Sequence, residues 1–264
     1  MAEITVNTFR KRKNENEKLV MVTAYDALGA AAAYEAGIDI LLAGDSMANT
    51  ALGYDSTLPL SMEEALFHTA AVKRGAPNAF VIFDMPFMSY QISDEEALRN
   101  AARAIKEVNA DAVKLEGGAD YAPLISKMVN AGIPVMAHIG LLPQKVKTSG
   151  GYRAAGKTED AARQLLEDAR KVEEAGAFSV VLECMPSAVA AEITGAISIP
   201  TIGIGSGAGC SGQVQVLTDV LGLSSFTPRH AHHYAELGML MRQALKSYAD
   251  EVRQGEFPRK ENSF

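Results

Sequence analysis

Three acidic residues stand where their carboxylates could bind one divalent cation together. Asp45, Asp84 and Glu116 each lie at, or directly after, the end of a short apolar run. Three carboxylates brought close together repel one another unless a cation joins them, and hard oxygen ligands without cysteine favour Mg²⁺ or a similar ion. The alternative is structural, because a single acid at a strand end often caps a helix or organises a loop. If the three runs are neighbouring strands, the pattern favours the metal site.

Three further residues could complete a catalytic site around such an ion. Lys114 and Glu116 are two positions apart and so face the same side of a strand, where the lysine is either an ion-pair partner of the acids or an anchor for an anionic substrate. Glu183 ends a later apolar run and is either a strand-end cap or a general base facing the metal across the substrate. His138 is either a buried, hydrogen-bonded imidazole or a catalytic acid, and we expect it just behind the metal ligands.

Other chemistry-bearing residues lack the partners that their chemistry needs. His230, His232 and His233 lie in a polar segment with no accompanying cysteine and no HExxH spacing, so we expect no metal cluster there. Nothing in the sequence supplies a base that would make Cys210 a nucleophile. The glycines of GIGSGAG (203–209) favour a tight loop where a ligand approaches the backbone.

The apolar runs predict parallel strands that are covered on both faces. They are short, rich in Val, Ile and Leu, and without strict polar alternation. Helix-like segments separate them, and phrases such as EAGIDIL (35–41) and NAGIPVM (130–136) repeat a unit in which a helix ends at Gly and a strand begins. The runs are LVMVTA (19–24), IDILLAG (38–44), AFVIFD (79–84), ADAVKLE (110–116), IPVMAHI (133–139), FSVVLE (178–183) and PTIGIG (200–205), with a weaker candidate at 214–217.

This βα repetition favours an α/β fold of the (β/α)8 TIM-barrel type over an open doubly wound sheet, since neither GxGxxG nor GxxxxGK[ST] follows the first strand. Ser93 and Thr158 predict helix N-termini, and Gly176 predicts the end of the second helix. We expect a single domain over residues 1–264, with the first ~17 residues and a helical segment at 232–253 capping or extending the barrel. Its strand ends would meet at one rim, where the active sites of such barrels lie.

Composition narrows the classes of partner. The chain has 25 Lys and Arg against 32 Asp and Glu, a net charge of −7, which excludes a polycationic nucleic-acid binder. No apolar run approaches the roughly 18 to 20 residues of a membrane span, and no apolar signal-peptide core follows the basic N-terminal segment. Cys184 and Cys210 form no CxxC pair, as is usual in a reducing compartment. We therefore expect a cytoplasmic protein with neither nucleic-acid nor membrane partners.

Several longer segments are specific enough to indicate a family. They are collinear from about residue 4 to the C-terminal ENSF. The sequence resembles the ketopantoate hydroxymethyltransferase family in TAYDA (23–27), LLAGDSMANTALGYDSTLPLSMEE (41–64), HTAAVKRGAPNA (68–79), FDMPFMSY (83–90), VKLEGG (113–118), PVMAHIGLLPQKV (134–146), GGYRAAGK (150–157), VLECMP (181–186) and PTIGIGSG (200–207).

The resemblance implies a (β/α)8 barrel with a defined reaction. Such enzymes bind Mg²⁺ and transfer a hydroxymethyl group from 5,10-methylenetetrahydrofolate to 3-methyl-2-oxobutanoate, giving ketopantoate for pantothenate and coenzyme A biosynthesis. They form homo-oligomers, commonly decamers. By matching motif, the magnesium site corresponds to Asp45, Asp84 and Glu116, the oxoacid site to Asp45, Ser46, Asp84 and Lys114, and the catalytic base to Glu183.

The chain departs from the usual pattern of this family after residue 207. Ser211 stands where an Asp is usual before GQ, Thr218 stands where a His is usual before Asp219, and segment 224–234 lacks a Pro-Lys-Phe-like run. These changes concern the closing strand and the folate side of the site. Two rival functions stay open: a magnesium-dependent carbon–carbon lyase of the isocitrate lyase or phosphoenolpyruvate mutase type, whose KxCGH-like lid motif this chain lacks, and a non-catalytic metabolite-binding barrel.

Overall fold

Eight parallel strands close into a barrel in chain order, in a computed structural model that describes residues 4–224 and 226–264. Each apolar run overlaps one strand, so the predicted TIM-barrel fold is confirmed. The last strand begins at Gly212 and ends at Gln215, earlier than predicted, because its pairing with the first strand starts at Leu19 opposite Gly212. The strands are β1 (Leu19–Thr23), β2 (Ile40–Ala43), β3 (Phe80–Asp84), β4 (Ala112–Glu116), β5 (Val135–Gly140), β6 (Ser179–Glu183), β7 (Thr201–Ile204) and β8 (Gly212–Gln215).

Helices alternate with these strands. They are α1 (Val6–Asn14), α2 (Ala27–Glu35), α3 (Met47–Thr50), α4 (Met62–Gly75), α5 (Asp94–Val108), α6 (Ala122–Asn130), α7 (Glu159–Glu174), α8 (Ser187–Ala196), α9 (Leu217–Val220) and α10 (Leu237–Gln254). The predicted caps of α5 and α7 are confirmed, since Ser93 Oγ accepts from Glu96 N–H and Thr158 Oγ1 from Ala161 N–H, both at 3.2 Å.

The final helix starts later than the predicted residue 232. The first amides of α10, those of Leu237 and Gly238, donate to the carbonyls of Leu221 and Gly222, each at 3.0 Å. A backbone bonded to that preceding turn cannot continue the helix upstream, since the same amides would need helical acceptors. The prediction of a helix from 232 was therefore wrong by one helical turn.

The bottom of the barrel is closed by aromatic packing. Phe9 on α1 is fully buried, and its ring centroid lies 5.2 Å from that of Phe80 at the start of β3 and 5.0 Å from that of Phe178 just before β6. Apolar side chains from all eight strands fill the space above it. The N-terminal end of the barrel is thus a packed core, which leaves the opposite rim for polar side chains.

Strand register brings the predicted site residues to that rim in adjacent pairs. Asp84 lies beside Lys114, Glu116 beside His138, and Gly140 beside Glu183. Gly140 has φ +104°, and a Cβ at this position would lie 2.3 Å from the Glu183 carbonyl oxygen. Only glycine allows β5 and β6 to approach so closely here.

The described chain divides into two compact units, residues 4–216 and residues 217–264. The first contains the barrel and α1 to α8, and the second contains α9 and α10. The assignment of residues 1–264 to a single domain stays a prediction. Within the described residues, none of the helices combines the length and the apolar character needed to cross a bilayer.

Candidate active site

The acids of β2, β3 and β4 meet around one lysine and one glutamine. Lys114 Nζ donates to Asp84 Oδ1 at 2.6 Å, and the two side chains are only 4% and 2% exposed. Asp84 Oδ2 accepts from the backbone N–H of Asp45 at 3.1 Å. Gln144, in the loop after β5, donates from Nε2 to Asp45 Oδ2 at 3.1 Å and from its backbone N–H to Glu116 Oε2 at 3.0 Å. The three predicted ligands therefore converge at the barrel mouth.

The cluster carries more negative charge than its lysine neutralises. Burial, followed by the charge of Asp84, raises the pKa of Asp45 to about 7. Burial and Asp45 raise the pKa of Glu116 well above its ordinary value. Burial works to lower the pKa of Lys114, but the carboxylates of Asp84, Asp45 and Glu116 outweigh it and raise that pKa. A bound cation or bound protons would relieve this excess of negative charge.

The donors fit a hard divalent cation. Glu116 Oε1 is buried and has no hydrogen-bond partner within the described part of the chain, so its lone pairs are available to a cation. Carboxylate oxygens are the ligands that Mg²⁺ prefers. As they stand, no three His, Cys, Asp or Glu side chains of residues 4–224 and 226–264 are arranged to hold a metal. Both oxygens of Asp84 already accept hydrogen bonds, from Lys114 and Asp45, so this carboxylate would have to share its lone pairs.

His138 lies between two carboxylates of the site. Its Nε2 is 3.2 Å from Glu183 Oε2, and its Nδ1 is 4.0 Å from Glu116 Oε1. The contact with Glu183 is too oblique for a hydrogen bond, and neither ring nitrogen has one within the described residues. Burial and the charge of Lys114 lower the pKa of His138, so the ring is held neutral. The Glu183 side chain is 16% exposed against 2% for His138, which leaves Glu183 the more accessible of the two.

Ser46 is placed beside Asp45, but its hydroxyl bonds elsewhere. Ser46 Oγ lies 2.9 Å from the hydroxyl of Tyr25, which in turn accepts from Thr23 Oγ1 at 2.7 Å. Tyr25 was not singled out from the sequence. Its place after β1, the neighbour of β2, was the available signal.

Gln144 and Tyr90 were also missed. The Tyr90 hydroxyl donates to Gln144 Oε1 at 2.7 Å and accepts from the backbone N–H of Glu116 at 3.1 Å. Gln144 Nε2 donates in addition to the Met85 carbonyl at 2.9 Å. Both residues lie inside family-like segments, PQKV and FMSY. Polar residues buried in a loop that folds over the mouth could not be recognised from spacing.

Of the departures after residue 207, Ser211 lies in the barrel unit, and Thr218 and segment 224–234 lie in the second unit. Ser211 is buried and pairs with Thr201 between the last two strands, N–H to side-chain oxygen in both directions, at 3.1 and 3.2 Å. Thr218 Oγ1 is buried in the second unit. His233 contacts Thr227 and Glu236, and His232 makes an edge-to-face contact with Tyr234. Segment 224–234 includes residue 225, which lies outside the described residues.

Comparison with known proteins shows which family this chain belongs to. A family model described as ketopantoate hydroxymethyltransferase matches residues 3–260. A relative from Clostridium novyi (strain NT), named 3-methyl-2-oxobutanoate hydroxymethyltransferase, is 53% identical over 261 residues, covering 98% of this chain and 95% of the relative.

Two solved structures share the fold at low sequence identity. Phosphonopyruvate hydrolase in complex with oxalate and Mg²⁺ has a TM-score of 0.62 at 12% identity, covering 98% of this chain and 93% of that one. The 2,3-dimethylmalate lyase of the PEP mutase/isocitrate lyase superfamily has a TM-score of 0.59 at 16% identity, covering 99% and 92%. The sequence match is far closer than either likeness of fold, and on that match the chain belongs to the ketopantoate hydroxymethyltransferase family.

Proposed function

We propose that this chain transfers a hydroxymethyl group from 5,10-methylenetetrahydrofolate to 3-methyl-2-oxobutanoate, forming ketopantoate in pantothenate and coenzyme A biosynthesis. The observation that carries the proposal is the 53% identity, over almost the whole chain, to a relative named for this activity. The mouth of the barrel offers what the reaction needs: an acid cluster, a buried lysine and an accessible carboxylate beside them.

The acids of the cluster and its lysine have different roles in binding the oxoacid. We assign Mg²⁺ to Asp45, Asp84 and Glu116, because hydrogen bonds from Asp45 N–H and from Gln144 link these carboxylates and Glu116 keeps a buried oxygen with no hydrogen-bond partner in the described residues. The bound ion would supply Lewis-acid stabilisation of the negative charge that develops on the oxoacid. Lys114 offers its charge to the carboxylate of the substrate, and Ser46 offers a hydroxyl close to Asp45. In this assignment Asp45 and Asp84 would hold the ion and also lie beside the bound oxoacid.

Glu183 acts as the base. It accepts the C3 proton of the oxoacid, and the electron pair of that C–H bond is delocalised into the carbonyl as an enolate. The neutral, buried imidazole of His138 lies against the Glu183 carboxylate and limits the directions in which it can turn. Because the Glu183 side chain is partly exposed, substrate can reach its carboxylate from the mouth of the barrel.

The remaining bonds balance with one water. C3 forms a new bond to the methylene carbon, both C–N bonds of that carbon are broken, and water supplies the hydroxyl oxygen. The C3 proton and one water proton end on the two folate nitrogens, and the other water proton stays on the new hydroxyl. The products are ketopantoate and tetrahydrofolate, with no change of the overall oxidation state.

Two measurements test the proposal. Incubation with 3-methyl-2-oxobutanoate, Mg²⁺ and methylenetetrahydrofolate should yield ketopantoate. Glu183→Gln should abolish exchange of the C3 proton with deuterated water while oxoacid binding stays near normal, because the amide cannot accept the proton. Exchange at the wild-type rate would remove Glu183 from the role of base. Cleavage of 2-methylisocitrate without ketopantoate formation would instead favour the lyase, and binding without either reaction a metabolite-binding barrel.

Assembly and location stay proposals from the family resemblance. We propose a cytoplasmic homo-oligomer, commonly a decamer in this family. Size-exclusion chromatography with light scattering would test the assembly against the 28.1 kDa mass of one chain.

A further inference from the structure

A cleft of about 260 Å³ opens beside Glu183, between the end of β5 and the loop that follows it. Its walls are hydrogen-bonded to β6. The N–H of Leu141 donates to the Glu183 carbonyl at 2.9 Å, and the N–H of Ala155 donates to the Cys184 carbonyl at 3.0 Å. A molecule in this cleft, which we call the Tyr152 cleft after the aromatic residue in its wall, would therefore lie close to the backbone that carries Glu183, the residue assigned as the base.

Two cationic side chains line the Tyr152 cleft without a carboxylate partner. Lys145 and Arg153 take part in no ion pair within the described residues, although acids outnumber bases in this chain. Other cations of the described residues do have acid partners, as Lys73 has in Asp111 at 2.9 Å. Two unpaired cations on one small concave surface favour an anionic ligand.

Tyr152 lines the same cleft as these cations. It is 56% exposed, so a face of its ring is open for contact. Burial and then the carboxylates of Asp45, Glu183 and Glu116 raise the pKa of its phenol. An exposed tyrosine in such a place offers a flat surface on which another ring can stack.

The position of Lys145 is fixed from the reaction centre. It belongs to a single 3₁₀ turn, Pro143–Lys145. The preceding residue of that turn, Gln144, bonds Asp45 with its side chain and Glu116 with its backbone. The turn thus joins the acid cluster to the wall of the cleft, and Lys145 cannot move far without disturbing both.

We propose that the Tyr152 cleft binds the aminobenzoylglutamate end of the one-carbon donor, with the ring against Tyr152 and the glutamate carboxylates on Lys145 and Arg153. This inference rests on the proposed function. The cleft is smaller than the roughly 300–1,000 Å³ of a complete ligand pocket, so it suits one end of such a molecule. The transferable methylene group lies next to the aminobenzoyl ring in the donor, and would therefore point towards Glu183.

The test compares donor binding with oxoacid chemistry in the same proteins. Lys145→Ala and Arg153→Ala should each raise the KM for methylenetetrahydrofolate about tenfold or more, since each loses a charge-assisted contact. Exchange of the oxoacid C3 proton without folate should stay at the wild-type rate. Lys147→Ala is the matched control, because Lys147 is an exposed lysine of the same loop outside the cleft. Tyr152→Ala should weaken donor binding, and Tyr152→Phe should preserve it.

Calorimetric titration with tetrahydrofolate separates this inference from the proposed function. Wild-type protein that forms no ketopantoate would refute the function, whereas binding of tetrahydrofolate that is lost in Lys145→Ala/Arg153→Ala would still support the cleft. Equal affinity of wild type and that double variant, or an equal loss in Lys147→Ala, would overturn the cleft. If the alanine variants melt early, the Lys145→Gln/Arg153→Gln pair keeps side-chain volume and gives the same readout, and wild-type donor affinity in that pair overturns the inference.

Discussion

Replacing Gln144 by leucine should damage the site and the fold together, because this side chain bonds groups in the loops that follow two neighbouring strands, β2 and β3. Leucine removes the donors to Asp45 Oδ2 and to the Met85 carbonyl, and the acceptor of the Tyr90 hydroxyl. Tyr90 keeps a second acceptor, the Glu116 carbonyl at 3.3 Å. Two buried polar groups therefore lose their partner, at about 1–3 kcal/mol each, and we expect the free energy of unfolding to fall by about 2–6 kcal/mol.

Urea denaturation followed by far-ultraviolet circular dichroism measures this loss. The matched control is Gln164→Leu, because Gln164 also donates from Nε2 to an aspartate, Asp168 at 3.1 Å, but on the exposed surface of α7. That change should stay within about 0.5 kcal/mol of wild type. Without urea, the folded Gln144→Leu variant should also need a higher Mg²⁺ concentration for C3 exchange, since the Asp45 carboxylate loses its hydrogen bond from Gln144. A stability equal to that of Gln164→Leu would refute the argument that Gln144 supports the cluster.

Three further outcomes follow from single residues. Gly140→Ala should lower the free energy of unfolding by about 2 kcal/mol or more and slow C3 exchange, since the added Cβ would strike the Glu183 carbonyl. Gly37→Ala is the control: this glycine has φ +89°, and no atom lies within 4 Å of an added Cβ, so the substitution costs only the backbone strain of about 1 kcal/mol. Burial and Glu183 raise the pKa of Cys184 from 9.0 to about 11. Alkylation of this thiol by iodoacetamide at pH 8, read by mass spectrometry, should therefore be roughly 100-fold slower than in the urea-unfolded chain and should accelerate as the pH approaches 11. Equal rates in the folded and unfolded chains would contradict the raised pKa. Asp84→Asn should increase the Mg²⁺ concentration needed for half-maximal activity, and an unchanged requirement would show that this carboxylate is not a ligand.

Residues on strands were predictable because barrel topology alone brings them together. Asp84 and Glu116 end neighbouring parallel strands, so their meeting at one rim follows once the βα repeat is recognised. Gln144 and Tyr90 lie in loops, and no periodicity states that the loop after β5 folds back over the mouth. The start of α10 was misplaced for a similar reason. The amides of Leu237 and Gly238 take acceptors in a preceding turn, a choice made by tertiary contacts and not by local propensity.

The aromatic packing around Phe9 constrains the order of events during synthesis. Phe9 is made well before Phe178, against which its ring packs and which belongs to the sixth repeat of the barrel. At a translation rate of roughly 5–20 residues per second, the growing chain needs on the order of 10–30 s to supply that partner. Throughout this interval α1 lacks one of its two aromatic partners, since Phe80 alone has been made, and molecular chaperones have their longest opportunity to engage the face that Phe178 will cover.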